Sequence, residues 1–302
     1  YALASGKHGE AEKLWPLIKW SLEYCHRKLN AEGVVTSDSD ELENRFPAGE
    51  ANLCTSSLYY DALISAAHLG KALNKEEKLI KSYRKEAAEL YKNIHTYFAR
   101  EVEGYDTYRY YDGNTVLRSW ICIPLTMGIY DQAEGTIAAL FSDKLWMENG
   151  LLTQSGTSTY WDRSTLYAFR GSYACGARDI ATKYLEQYST TRLLGDHVPY
   201  AVEAWPEGNQ RHLSTESALY CRIMTEGLFG IRPIALNAFT LTPQLPKSWN
   251  EMAIRRVCAF GKIYDIEVKR DKGEHLLVFI KEDNKTVRKY KVDNGKSVEV
   301  RF

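Results

Sequence analysis

From about residue 10 to 232, apolar positions recur at helical spacing. Leu14, Leu17, Ile18, Leu22, Cys25 and Leu29 form one stripe, and Leu58, Ala62, Leu63, Ala66 and Leu69 a second. Leu79, Tyr83, Ala87, Leu90, Tyr91 and Ile94 form a third after a break around Asn74. Residues three and four apart share a helix face, so each stripe predicts an amphipathic helix with one side against a core. Further helical stretches are predicted near 115–130, 134–142, 159–170, 172–188 and 214–229. Several begin after Ser, Thr or Asn, the residues that satisfy the first free amides of a helix. The total is about eight helices, joined alternately by short and long connections.

Beyond Pro233 the period changes from helical to alternating. Tyr264, Ile266 and Val268 point one way while Asp265, Glu267 and Lys269 point the other, and Val298, Val300 and Phe302 repeat the pattern. Asp271-Lys272-Gly273, Asp283-Asn284-Lys285 and Asp293-Asn294-Gly295 lie between these runs and supply tight-turn chemistry. The expected architecture is a mainly α chain: a helical domain over 1–235, then a small antiparallel β-sandwich over 236–302. No low-complexity linker separates them, so the two are expected to pack together.

Composition narrows the function classes. Lys+Arg and Asp+Glu are 39 each in 302 residues, so the formal charge is zero, without the field that draws a protein to nucleic acid. No apolar run approaches the ~20 residues that span a bilayer. Neither a nucleic-acid nor a membrane partner is therefore expected. The chain opens on Tyr1, which predicts a processed product or a piece of something longer. Six cysteines are spread singly and no CxxC occurs, so buried thiols are expected rather than disulfides or metal ligands. With 21 Tyr, 7 Trp and 9 Phe, the aromatic content exceeds the needs of an ordinary core and suits a cleft where rings stack on sugar faces. Most of these rings are nonetheless expected to be core.

Long connections between helices are where a site would sit. The first, 33–46, carries Asp38, Asp40, Glu41 and Glu43 beside Arg45. A solvated acidic loop is the plain reading. A calcium loop would need the Gly and terminal Glu spacing that this segment lacks. The sharper reading makes Asp40, or Asp38, a general acid, protonated because its neighbours repel a second charge. The second, 195–212, carries Asp196, His197, Tyr200, Glu203, Trp205, Glu207, Arg211 and His212 just before the last helix. Loop acids are again the plain reading, but aromatics interleaved with carboxylates are what a glycosidase subsite uses. The chain has no GxSxG, HExxH, GxxxxGK[ST] or strand-borne GxGxxG, and its histidines are too sparse for a zinc set.

The stretch Glu203-Ala204-Trp205, His212, Ser217-Ala218-Leu219-Tyr220 and Glu226-Gly227-Leu228-Phe229-Gly230-Ile231-Arg232-Pro233 resembles the end of the catalytic barrel in six-hairpin glycosidases. Leu241-Thr242-Pro243-Gln244-Leu245-Pro246-Lys247-Ser248-Trp249 is similar to the entry of their C-terminal β domain. Bacterial α-L-rhamnosidases and cellobiose-phosphorylase-type enzymes end in this way. Asp38-Ser39-Asp40 followed by Ser57-Leu58-Tyr59-Tyr60-Asp61-Ala62-Leu63 resembles the glycogen-debranching and processing α-glucosidase groups. Thr159-Tyr160-Trp161 resembles their Tyr-Trp-Arg-Gly helix entry, although Asp162-Arg163-Ser164 replaces the usual continuation.

That resemblance implies an (α/α)6 toroid with an acid and a base on loops at one end. Glu203 matches the base element, with Glu207 as fallback, and Asp40 or Asp38 matches the acid loop. Arg45, Trp161, His197, Tyr200, Trp205 and His212 would bind or orient a carbohydrate substrate. The implied activity is inverting hydrolysis of an oligo- or polysaccharide without metal or organic cofactor. A phosphorylase using phosphate in place of water and a non-catalytic carbohydrate-binding fragment are the alternatives. A toroid has twelve helices and about eight are legible, so roughly the first four are expected to be absent: either the protein is a fragment, or an upstream region supplies them, or the barrel is incomplete. Relatives of this kind are often bacterial and exported, so a periplasmic or extracellular location is expected.

Overall fold

A computed structural model of the chain describes residues 1–40, 46–194, 200–202, 204–205 and 214–302. A short helix α1 (Ala2–Ser5) precedes the long antiparallel pair α2 (His8–Arg27) and α3 (Leu53–Ala72). After α4 (Glu77–Phe98) the chain makes a hairpin of β1 (Ala99–Val102) and β2 (Tyr105–Tyr108). A 3-10 turn (Ser119–Cys122) leads into α5 (Ile123–Thr126), and α6 (Ala133–Leu140) follows. The short strands β3 (Trp146–Met147), β4 (Gly150–Leu151) and β5 (Tyr160–Trp161) precede α7 (Asp162–Ala174) and α8 (Arg178–Tyr188). Then come β6 (Ala204–Trp205) and α9 (Ser214–Arg222).

Burial separates these helices into two layers. α3 buries ten residues of its 20 and α7 nine of its 13, including Ser57, Ser164 and Thr165, so both are wrapped on several sides. α2 buries only Ala11, Trp15 and Leu22, and α4 a single stripe of Ile80, Tyr83, Ala87, Leu90, Ile94 and Phe98. A stripe buried on one side only marks an outer helix. α3 packs on α5, α5 on α7, and α7 on α9, giving an inner row backed by α2, α4, α6 and α8. The break expected between the helices over 159–170 and 172–188 falls later, at 175–177, because Gly176 at φ +93° turns the chain between α7 and α8.

A three-stranded sheet of β7 (Arg232–Ala235), β8 (Ala238–Leu241) and β13 (Val298–Arg301) has the order β13-β8-β7. A four-stranded sheet of β9 (Glu251–Ala259), β10 (Lys262–Arg270), β11 (His275–Glu282) and β12 (Lys285–Asp293) is an antiparallel meander. The alternation read from sequence is the alternation of burial: Tyr264, Ile266 and Val268 are buried. They face Phe239 of the other sheet, whose ring stacks on Phe260 at 5.1 Å and Tyr264 at 5.8 Å. Asp283 and Asn284 sit at positive φ in the two-residue turn between β11 and β12, as their sequence predicts. The β9–β10 turn is less expected, because Phe260 itself adopts φ +56°, ahead of Gly261. Its ring is held in the sandwich core, and its amide donates to the Ala4 carbonyl at 2.6 Å, which ties the sandwich to α1.

None of the six cysteines forms a disulfide, and only Cys54 and Cys122 are buried, whereas Cys221 and Cys258 are exposed.

Candidate functional site

Because the helices run up and down, every second connection emerges at the same end. Four long ones do so: 28–52, 99–118, 141–161 and 194–213. They are stitched together by single backbone pairings rather than by one sheet. Thr36 pairs with Ala51, Asn52 with Tyr111, Arg118 with Gln154, and Leu152 with Tyr160. The last step is the ribbon of β5 with β6, in which Tyr160 faces Trp205 and Trp161 faces Ala204. A line of paired backbone thus runs from Thr36 and Ala51 of the first connection to Ala204 and Trp205 of the last. Asn52 anchors the line on the inner layer: its side chain caps α3 by accepting the Thr55 amide at 2.8 Å.

Asp38 is exposed, whereas Asp40 is half-buried. The Asp40 carboxylate faces the Tyr110 hydroxyl and the Arg118 guanidinium, both on the neighbouring connection. Burial, with the Asp40 charge adding to it, pushes the Tyr110 hydroxyl well above its ordinary range, so it stays protonated and able to donate. Arg118 is 1 % exposed and lies between rings, 5.2 Å from the centroid of Phe46, 5.1 Å from Tyr110 and 5.4 Å from Tyr111. Burial lowers its pKa, and the adjacent tyrosines and Asp40 oppose that shift.

Trp161 is buried in the wall beneath β6, and Tyr200 is half-buried. Arg45, His197, Glu203, Glu207 and His212 lie outside the described residues, and Trp205 is described only through its backbone.

Sequence reading missed a buried ionic cluster directly beneath the second connection. Asp162, the first residue of α7, is 1 % exposed and accepts the Val202 amide at 2.7 Å and Arg192 Nη2 at 3.1 Å through the same oxygen, Oδ2. Beside it Arg163 Nε donates to Glu216 Oε1 at 2.7 Å, and Glu216, on α9, is fully buried. The sequence signal was the departure Asp162-Arg163-Ser164 at a helix entry, an acid and a base side by side where a helix start favours the acid. Arg192 comes from the turn Ser189–Leu193 after α8 and Glu216 from α9, so nothing local announced the pairing. Among the described residues, no group of three or more His, Cys, Asp or Glu is gathered as metal ligands.

A cavity of about 780 Å³ lies away from these loops, lined by Asp61 and Leu69 of α3, Thr126, Arg170, and Arg222 and Glu226 beyond the start of α9. It is concave and charged, yet none of the candidate acids or bases named above lines it. The candidate site is therefore built on the connections at the other end of the helices and not on this cavity.

No protein-family profile and no curated protein sequence matches the chain. Solved structures do. A sialidase superposes with a TM-score of 0.70 over 98% of this chain and 31% of its own, at 15% identity. The GH78 family rhamnosidase of Bacillus sp. GL1 does so with a TM-score of 0.58 over 93% of this chain and 30% of its own, at 13% identity. The α-L-rhamnosidase of Dictyoglomus thermophilum gives 0.52 over 98% and 38%, at 13% identity. The chain spans about a third of the length of the first structures it matches. Its inner and outer helix layers followed by two antiparallel sheets share the fold of the matched part of these structures, and are compatible with a partial helical toroid and a β domain.

Proposed function

We propose that the protein is a glycoside hydrolase acting on an oligo- or polysaccharide by inversion. The observation that carries the reading is the backbone-paired line of connections at one end of the inner helices, which brings the acidic connection and the Glu203 connection to one end of the molecule. In this reading Asp40 protonates the glycosidic oxygen, and Glu203, or Glu207 in its place, takes a proton from a water on the opposite face of the sugar. Asp40 is preferred to Asp38 because it is half-buried against Tyr110 and Arg118, while Asp38 stands in solvent. A carboxyl that must hand over a proton needs a sheltered, fixed position. Inversion requires the two carboxyls about 6.5–9.5 Å apart, leaving room for the water. Arg45, Trp161, His197, Tyr200, Trp205 and His212 are assigned to substrate binding.

Residues 1–235 form the catalytic helical part and 236–302 the accessory sandwich in this reading, with an upstream region of the same protein completing the ring. Two observations support the last point. The inner row counts four helices, α3, α5, α7 and α9, among the described residues. The outward side of α2 also leaves Leu17, Trp20 and Tyr24 exposed.

An α-L-rhamnoside is the first substrate to try, because two of the matched structures are rhamnosidases. The test is a glycan panel with and without phosphate, following products and their anomeric configuration by proton NMR. Release of an inverted sugar, lost in Asp40→Asn and in Glu203→Gln, is the expected result. Phosphate-dependent release of a sugar phosphate would make the protein a phosphorylase. Heat of binding without any product would leave a carbohydrate-binding fragment.

A further inference from the structure

Buried carboxylates are costly, and a protein keeps one where it holds something in place. Asp162 is such a group. Its Oδ2 accepts two donors from distant parts of the chain: the Val202 amide, 40 residues on, and Arg192. Arg192 reaches it because the chain widens into a π-turn at Ser189–Leu193 after α8, and its side chain is fully buried there. Such local widenings of a helix recur at functional sites. One residue before Asp162, Trp161 pairs with Ala204 through the backbone. Val202 and Ala204 are the two sequence neighbours of Glu203, so both flanks of that residue are fastened to the start of α7, one by the Asp162 carboxylate and one by the β5–β6 ribbon.

We infer that Asp162, held by Arg192, is a positioning residue that fixes the segment bearing the catalytic base. This rests on the assignment of Glu203 under the hydrolase reading. Asp162 is too deeply buried to meet substrate, so it acts through the Val202 backbone. A misplacement of about 1 Å at a reacting group costs about 100-fold in rate.

The surroundings of Asp162 also give the clamp a pH dependence. Arg192 and the Val202 amide face it from the segment after α8, Tyr188 from α8, and Glu216 from α9, with Arg163 on its own helix paired to Glu216. Burial pushes its carboxyl up to about 6, against the pull of Arg192 and the Val202 amide and helped by the Glu216 charge. Below about 6 the carboxyl takes a proton and the charge that holds Arg192 is lost. Because this value is raised above the ordinary 3.8, its contribution to stability is fully present below about 4 and is lost as pH rises through about 6. Loosening of the clamp on acidification is thus not accompanied by loss of stability from this group.

The test compares the protein with Asp162→Asn, which keeps shape and an acceptor oxygen but loses the charge, and with Arg192→Lys, which keeps a charge but not the fork. Hydrogen exchange at the Val202 and Ala204 amides reads the clamp, and turnover of 4-nitrophenyl α-L-rhamnopyranoside, or of whichever panel glycan is cleaved, reads its consequence. Expected for Asp162→Asn are at least tenfold faster exchange at Val202, kcat lower by about 100-fold with KM within twofold, and disappearance of an acid limb near pH 6. Arg192→Lys should recover part of kcat. Unchanged exchange, or changed exchange with unchanged kcat and pH profile, overturns the inference while leaving the hydrolase reading intact. Absence of turnover by the unaltered protein on every glycan overturns the hydrolase reading, and the positioning role with it. If Asp162→Asn fails to fold, Arg192→Lys is judged by the same two readouts.

Discussion

Glu103 accepts the Leu117 amide at 2.7 Å from the tip of the β1–β2 hairpin. The same carboxylate takes Lys144 at 3.2 Å and Ser155 at 3.2 Å, so one side chain fastens two of the four connections that build the candidate site, 99–118 and 141–161, to each other. Burial alone would raise its pKa, but the Leu117 amide, Lys144 and Ser155 together hold it below the usual carboxylate range. A depressed value means that Glu103 stabilises the fold above its ordinary 4.5 and that this contribution is lost as pH falls through the folded value. Glu103→Gln is expected to cost about 1–2 kcal/mol at pH 7 and to flatten the acid side of a stability-versus-pH curve. Chemical denaturation at pH 7 and pH 4 checks both, and an equal loss at the two pH values would show that the charge is not the cause.

Asn52 carries the other end of the same framework. It is fully buried, caps α3 through the Thr55 amide and pairs with Tyr111. Asn52→Ala is expected to lower stability by about 1–2 kcal/mol, the upper part of the range for a lost helix cap. Asn52→Asp, which keeps the acceptor, should lose less. Urea midpoints of the two variants decide between a capping role and mere space filling.

The contact between helices and sandwich depends on a glycine. Gly6 ends α1 at φ +70°, and a Cβ there would stand 2.5 Å from the Phe260 carbonyl carbon. Phe260, itself at positive φ, donates its amide to Ala4 at the same point. Gly6→Ala therefore combines left-handed strain with a backbone clash and is expected to cost about 2–4 kcal/mol. A separate, earlier unfolding transition of one part in differential scanning calorimetry would show that the two units have come apart. A single transition unchanged in midpoint would contradict the close approach.

Much of this framework was legible because it repeats. The stripes at Leu58–Leu69 and Leu79–Ile94 became α3 and α4, and the alternation at Tyr264–Val268 became β10, since in each the period of apolar residues is the period of the backbone. The β1–β2 hairpin was not legible: its strands have four residues each, too few to establish alternation. The turn at Phe260 was hidden for a different reason, because a bulky ring at positive φ is stabilised only by tertiary stacking on Phe239. At the site, Asp38 and Asp40 drew attention through their clustering in sequence. Asp162, Arg192 and Glu216 did not, because they come together only when α7, the turn after α8 and α9 pack, and each alone looks like an ordinary surface charge.

The cavity lined by α3, α5, α7 and α9 carries its own ionic network. Glu226 pairs with Arg170 at 2.6 Å and with Arg222 at 2.6 and 2.9 Å, while Arg232 pairs with Asp61. Arg170 is 11 % exposed, and burial lowers its pKa, so it relies on Glu226 to remain paired. Glu226→Ala is expected to cost about 2–3 kcal/mol, less than a wholly buried pair because Glu226 is partly open to solvent. The Arg222→Ala change, which leaves the Arg170–Glu226 pair in place, should cost under about 1 kcal/mol. Thermal melts of the two variants test whether Arg170 is the group that matters.

The proposal that further helices close the ring makes a prediction about α2. Leu17, Trp20 and Tyr24 project on its outward side, with Trp20 and Tyr24 stacked at 5.9 Å and more than 45 % exposed each. A helix face of this kind has no reason to be apolar unless something covers it. In this chain alone, Leu17→Ser with Trp20→Ser should change stability by no more than about 0.5 kcal/mol, since neither side chain is buried. In the presence of a segment that completes the ring, the same double substitution should abolish association, measured by analytical ultracentrifugation of the two parts mixed. If the double variant binds that segment as tightly as the unaltered chain does, the closing helices do not sit on α2. If it instead loses stability on its own, the face is already packed within the chain, and the exposed stripe is not a seat for anything else.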